Sequence, residues 1–287
     1  AGSQRYHSDH LPDCCGGQRS TQLMSDIVSV SFRSQLKVWK SVCFALFLRE
    51  LRSQFSDRLG LAWGFLEPFA FIFGLSYVRS LVREGDAHGI PIFIFMLIGM
   101  VAIQSFLQPF TKVASAFSKN KPLYAFRQVQ PISALLVSAF VEYTIKVIVI
   151  VLAMLTIYLL GVTFPVHDPL LLFLLFHLLW IMTISMSCIL GIASSYLPEV
   201  KKIVGVFTRP LFFISCVFFS LQDIPVEYWH WFTWNPLVHF IELGRYACFE
   251  SYGDQGVSLQ YAFQFTLIVF FFAVSLYHLT WKGLLSR

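Results

Sequence analysis

The sequence predicts an all-α integral membrane protein. It should have six transmembrane helices, an N-terminal amphipathic helix at the membrane interface, and a re-entrant helical pair between spans five and six. Three observations carry this prediction. Of the 287 residues, 56% are hydrophobic and only 13% charged, against about a quarter charged in soluble domains. Six stretches each offer about 20 mostly apolar residues, enough to cross roughly 30 Å of hydrocarbon. Lys and Arg gather on one side of those stretches. A mean hydropathy of +0.67 with 31 Phe and 7 Trp excludes a secreted disulfide scaffold, a disordered chain and a nucleic-acid-binding domain.

Residues 1–31 begin polar and carry no signal-peptide pattern. They are expected to be a flexible extension or vector-derived sequence outside the fold. From Phe32 to Arg58 the chain is amphipathic. Phe32, Leu36, Trp39, Cys43, Leu46, Phe47 and Leu51 recur at helical spacing, with Arg33, Lys37, Lys40, Arg49 and Arg52 supplying cations. Such a helix suits the headgroup plane, its bases toward anionic lipid. A helix packed on a soluble partner fits the same pattern.

The transmembrane region occupies 59–287. Its spans are expected at about Leu59–Val78, Ile90–Phe110, Ile132–Val162, Leu170–Tyr196, Ile203–Leu221 and Leu259–Trp281. With the N-terminus inside, 17 of the 21 Lys and Arg fall on the cytoplasmic side, while Glu84, Asp86, Asp168, Asp223, Glu227, Glu242, Glu250 and Asp254 fall outside. The positive-inside rule therefore puts both termini in the cytoplasm.

Two connecting segments hold more information. The loop 111–130 has four cations and no acid, broken at Lys119-Asn120-Lys121-Pro122. It is either an ordinary positive-inside loop or a docking element for a cytoplasmic partner. The segment 222–256 is rich in aromatics, and Asn235-Pro236 is a helix start: an N-cap acceptor followed by Pro at the first helical position. About 15 helical residues reach roughly 22 Å, too short to span. A broken, re-entrant pair is expected there, tolerated at depth only where protein or a water path covers its backbone.

Charges within spans cost about 2.5–3.5 kcal/mol each on insertion scales. Glu67 precedes Pro68, which frees a carbonyl and kinks the helix; it fits a helix contact, a polar lumen or a hydrogen-bonded structural acid. Glu142 and Lys146 stand in the favourable i,i+4 order and are expected to neutralise each other partly inside the bundle. Arg209 either snorkels or meets an anionic group. His239, Glu242 and Arg245 share one helix face, as an ion-paired cluster or as contacts to a polar ligand. One His-x-x-Glu without a second cluster is a weak metal signal, so no metal is expected.

The six cysteines form no framework and no CxxC pair. There is no phosphate loop of the G-x-x-x-x-G-K-[ST] form, no G-x-S-x-G elbow and no H-E-x-x-H. The chain reads as a conduit.

The run from Leu48 to Pro68 (LRELRSQFSDRLGLAWGFLEP) resembles the entry to the first span of type-2 ABC exporter permeases. Arg209–Cys216, Ile224–Trp229, Trp234–Arg245 and Gly256–Tyr261 extend the likeness. Together they look like the capsular-polysaccharide exporter permeases of Gram-negative bacteria, the KpsM type of ABC-2 transmembrane subunit. The resemblance implies a homodimer in the bacterial inner membrane, bound to two separate ATPase subunits. ATP and Mg would sit on those partners, with no cofactor on this chain. Ser118, Lys119, Asn120, Lys121 and Tyr124 would belong to a coupling helix seated in the ATPase. Asn235, His239, Glu242 and Arg245 would belong to an outer gate in 222–256. The substrate would be a lipid-linked acidic polysaccharide, passed on to a periplasmic adaptor and an outer-membrane channel.

Sugar polymers slide along aromatic faces, which makes Trp63, Trp229, Trp231 and Trp234 candidates for the substrate path. An interfacial aromatic belt explains the same tryptophans. Anionic groups on the polymer favour Arg58 and Arg209 near the inner mouth, with Glu67 along the same path. Export of O-antigen or teichoic acid is the nearest alternative. An intramembrane enzyme acting on a lipid-linked sugar, with His239 and Glu242 as acid and base, is the alternative of another class.

Overall fold

A computed structural model describes residues 32–54, 58–82, 85–125, 129–161 and 164–286, less the side chains of 32–35, 54, 58–65, 209 and 286. The expected extension 1–31 lies outside them. The chain divides into two compact units, 1–41 and 42–287. The first contributes the start of helix α1 (Phe32–Gln54); the second holds the fold.

Helix α2 (Arg58–Val82) contains Pro68 and leads to a small hairpin, β1 (Asp86–Ala87) paired antiparallel with β2 (Ile90–Pro91). The turn needs two left-handed residues, His88 at φ 51° and Gly89 at φ 82°, the geometry a two-residue hairpin favours. Then follow α3 (Ile92–Ala114), the short α4 (Ala116–Lys119), a 3-10 turn at Lys121–Ala125, α5 (Pro131–Leu159) and α6 (Pro169–Tyr196). Helix α7 (Glu199–Ile214), the one-turn α8 (His230–Thr233), α9 (Pro236–Cys248) and α10 (Leu259–Ser286) complete the chain.

Proline sets several of these starts. Pro131, Pro169 and Pro236 each open a helix, where the missing amide costs nothing. Asp168 caps α6 by accepting from Leu171 N at 3.0 Å.

Helix α3 is the centre, packed on α2, α5, α6 and α9. Ile94, Met96, Met100 and Ile103 are wholly buried. Apolar residues also cover the outside: Ile268, Phe271 and Phe272 on α10 are exposed. A water-facing helix would carry polar residues there, so the fold is built for lipid.

Among the described residues four helical stretches are long and apolar enough to cross a membrane: Ile92–Lys119, Pro131–Leu159, Pro169–Tyr196 and Leu259–Leu285. They match the expected second, third, fourth and sixth spans. The expected first span lies in α2, a 25-residue helix. The expected fifth differs. Its helix begins at Glu199 and stops at Ile214, 16 residues or about 24 Å. The stretch 215–220 is not helix: the chain turns at Cys216, at φ 56°, and Leu221 opens a 3-10 turn, Leu221–Asp223.

Candidate functional site

That turn frees carbonyls in a place remote from water, and Arg245 of α9 takes them. Its Nη1 donates to Cys216 O at 3.0 Å and Phe219 O at 3.5 Å, and its Nη2 to Val217 O at 2.9 Å. The side chain is wholly buried. One helical turn earlier, Glu242 Oε1 accepts from Nη1 at 2.8 Å. Glu242 also accepts from Tyr252 Oη at 2.5 Å and from Leu221 N at 3.3 Å. The Phe95 ring of α3 lies 3.5 Å from the guanidinium carbon, a cation–π contact. Gly99 lets the guanidinium in: a Cβ there would stand 2.9 Å from Nη2. A buried charge is tolerated only when paired and hydrogen-bonded, and Arg245 and Glu242 meet both conditions.

Helix α9 is pinned at both ends. Asn235 Oδ1 accepts from Leu237 N at 3.1 Å, and its amide donates to Ser215 Oγ at 3.0 Å, beside the end of α7. At the other end His167 N and Asp168 N donate to Cys248 O and Ala247 O at 3.3 and 2.8 Å. His239 stands apart from the ion pair. Its Nδ1 accepts from Ser258 N at 3.0 Å, so Nε2 carries the proton and donates to Thr233 O at 2.8 Å. That is a neutral imidazole, used as a tie between α8, α9 and the start of α10.

The four tryptophans proposed for the substrate path separate. Trp229 is half-buried, donates to Ile224 O at 2.8 Å and packs on Gly256, where a Cβ would meet its ring at 2.6 Å. Trp231 and Trp234 are 64% and 62% exposed. The side chains of Trp63, Arg58 and Arg209 lie outside the described residues; the first and second belong to α2 and the third precedes Pro210 in α7. Glu67 is exposed beside the buried Pro68.

The break at 115–125 forms a second constellation. Phe117 packs against Gly191 of α6 so closely that a Cβ there would meet its ring at 2.5 Å. Lys119 Nζ donates to Glu50 Oε1 of α1 at 2.8 Å, Glu50 being 6% exposed. Asn120 is buried, its amide donating to Ala116 O at 2.8 Å. Ser118 and Lys121 are exposed, and Tyr124 is buried, which drives its phenol upward from the ordinary range.

Between these constellations, the charges of α5 find partners on α3. Lys112 Nζ lies 3.2 Å from Glu142 Oε1, and Lys146 Nζ donates to Gln108 Oε1 at 2.5 Å. The expected Glu142–Lys146 pair does not bond directly, although both residues are buried. Four partners escaped sequence reasoning: Tyr252, Phe95, Glu50 and Gln108. Phe95, Glu50 and Gln108 come from distant stretches of chain, Tyr252 follows Glu242 within 222–256, and none carries a local motif.

Four long apolar helices, a shorter α7 that ends before the turn at Cys216, and a basic break between α3 and α5 describe a helical membrane protein. The ABC-2 type transporter family model matches residues 41–249, and the chain belongs to that family. Similar proteins are known by function. The polysialic acid transport protein KpsM of Escherichia coli is 35% identical over 255 residues, covering 88% of this chain and 99% of KpsM. The capsule polysaccharide export inner-membrane protein BexB of Haemophilus influenzae is 21% identical over 231 residues, covering 80% and 86%. CtrC of Neisseria meningitidis, an inner-membrane protein of the same description, is 20% identical over 227 residues, covering 79% and 86%.

Proposed function

We propose that this chain is the channel-forming membrane subunit of a capsular-polysaccharide exporter in a bacterial inner membrane. Two copies enclose the path, and two separate ATPase chains drive it, carrying ATP and Mg. Six segments cross the bilayer with both termini in the cytoplasm. The fifth is short, and the segment 222–256 re-enters the membrane behind it as the outer gate. The substrate is a lipid-linked acidic polymer, handed to a periplasmic adaptor and an outer-membrane channel.

The observation that carries this reading is the near end-to-end likeness to a polysialic acid transport protein. Two structural features support it. The 115–125 break is held to α1 by Lys119–Glu50 and to α6 by Phe117, so force applied there reaches the bundle. The carboxylate of Glu242 is occupied by Arg245, Tyr252 and Leu221, and His239 is tied to backbone, so both side chains are engaged in holding α9 in place.

Deletion of the gene with complementation tests the reading. Loss of surface capsule, polymer retained in the cytoplasm, and recovery with the intact gene are the expected result. Normal surface polymer in the deletion strain, or nucleotide hydrolysis by the purified chain alone, overturns it.

A further inference from the structure

A cleft of about 300 Å³ lies at the end of the bundle where α6 and α10 terminate. Its walls are Phe117, Ser118, Lys121 and Tyr124 from the 115–125 break, Ser194 and Ser195 from the last turn of α6, Pro198 and Lys201 at the start of α7, and Leu284 near the end of α10. Two lysines from elements 80 positions apart in sequence face one space, and among the described residues no carboxylate lines it. Ser118 lines the same cleft beside them.

We propose that this cleft binds the phosphate group of an anionic phospholipid in the adjoining leaflet. Charge sets the sign of the ligand: two ammonium groups with no acid between them favour an anion, and basic pockets between membrane helices take lipid headgroups. Position sets the source. The cleft lies where α6 and α10, both long and apolar enough to span, come to an end, and the end of a span is where headgroups lie. The adjoining surface of α7 supplies the place for tails, since Ile203, Val206 and Phe207 are 55%, 67% and 69% exposed. A cationic cup beside an apolar strip matches an amphiphile better than a free ion. The lipid would bridge the 115–125 break and the start of α7, two elements joined to the bundle at different points. This rests on reading these helices as spans, and on nothing about what is exported.

Native mass spectrometry of the full chain purified in detergent tests it, with phosphatidylglycerol, phosphatidylethanolamine and inorganic phosphate as separate titrants. Phosphatidylglycerol should bind more tightly than phosphatidylethanolamine. Lys121→Ala with Lys201→Ala should weaken it about 30-fold, each lysine near a charged headgroup contributing about fivefold. The corresponding double Arg variant should retain binding, and Lys202→Ala, outside the cleft, should leave it unchanged. Equal binding of the two lipids, an unaffected double Ala variant of normal elution volume, or displacement of lipid by equimolar phosphate overturns the proposal. So does a double Ala variant that releases the ATPase while the wild type binds no lipid. Lipid retained by a chain that fails to restore capsule leaves this site standing and removes the export reading instead.

Discussion

Arg245 Nη1 lies 2.8 Å from Glu242 Oε1 while the same guanidinium holds the carbonyls of Cys216 and Val217. One side chain therefore caps the turn that follows α7 and fixes α9 against it. Arg245→Ala removes the cation that pairs with Glu242, to which Tyr252 and Leu221 still donate, and takes the guanidinium donors from the two carbonyls in the interior. The expected loss is about 3–5 kcal/mol, the cost of breaking a buried pair from one side. Thermal unfolding in detergent should show a large fall in Tm. Arg245→Lys should recover only part of it, because an ammonium cannot fork to three acceptors. A Tm unchanged in Arg245→Ala would refute the capping role.

Tyr252 connects the same carboxylate to Ser220 through its hydroxyl, at 2.5 and 2.6 Å. Tyr252→Phe keeps the ring and removes both bonds. The expected cost is about 1–3 kcal/mol, the range for stranding a buried polar group. It should appear as a lower Tm with normal membrane insertion. No loss would mean that Glu242 is satisfied by Arg245 and Leu221 alone.

Lys119 and Glu50 join the 115–125 break to α1. Lys119→Ala removes a 2.8 Å ion pair from a nearly buried carboxylate, so stimulation of the partner ATPase should fall while the chain still inserts. The swap Lys119→Glu with Glu50→Lys should restore part of the coupling. Failure of the swap together with full activity of Lys119→Ala would show that the pair transmits nothing.

Gly191 faces Phe117 with no room for a Cβ. Gly191→Leu forces the ring and the break off α6. ATPase co-purification should drop by about tenfold or more, corresponding to at least 1.4 kcal/mol. Gly191→Leu combined with Phe117→Ala should recover part of it by freeing the space. An unaltered yield of complex in Gly191→Leu would refute the seating.

Trp231 and Trp234 are exposed, whereas Trp229 is bonded to Ile224 O. If the exposed rings guide a sugar polymer, Trp231→Ala with Trp234→Ala should slow capsule appearance at unchanged protein level. Trp229→Ala should instead lower the protein level. Export at wild-type rate in the exposed double variant, at normal abundance, would leave the two rings without a role in the path.

The parts of this fold that the sequence makes legible are those fixed locally. Pro131, Pro169 and Asn235-Pro236 mark helix starts because proline and an N-cap act within one turn. Four apolar runs are long enough to announce themselves. The end of α7 was not legible. Its run of apolar residues continues past Ile214, and the carbonyls freed at the stop are taken by Arg245, 31 positions after Ile214. Likewise Glu142 and Lys146 satisfy the local spacing rule, yet α3 offers Lys112 and Gln108 nearer to hand. His239 shares a helix face with Glu242 and Arg245, but its ring is taken by Thr233 and Ser258. Spacing places side chains on a face; only packing decides what each one meets.

Asn235 ties the front of α9 to Ser215, and the amides of His167 and Asp168 tie its rear. A rod fastened at both tips has no freedom to piston along its own length without tearing one fastening. Any widening of this end of the protein therefore has to be a tilt, with α9 carried along as cargo of the two helices it is bolted to.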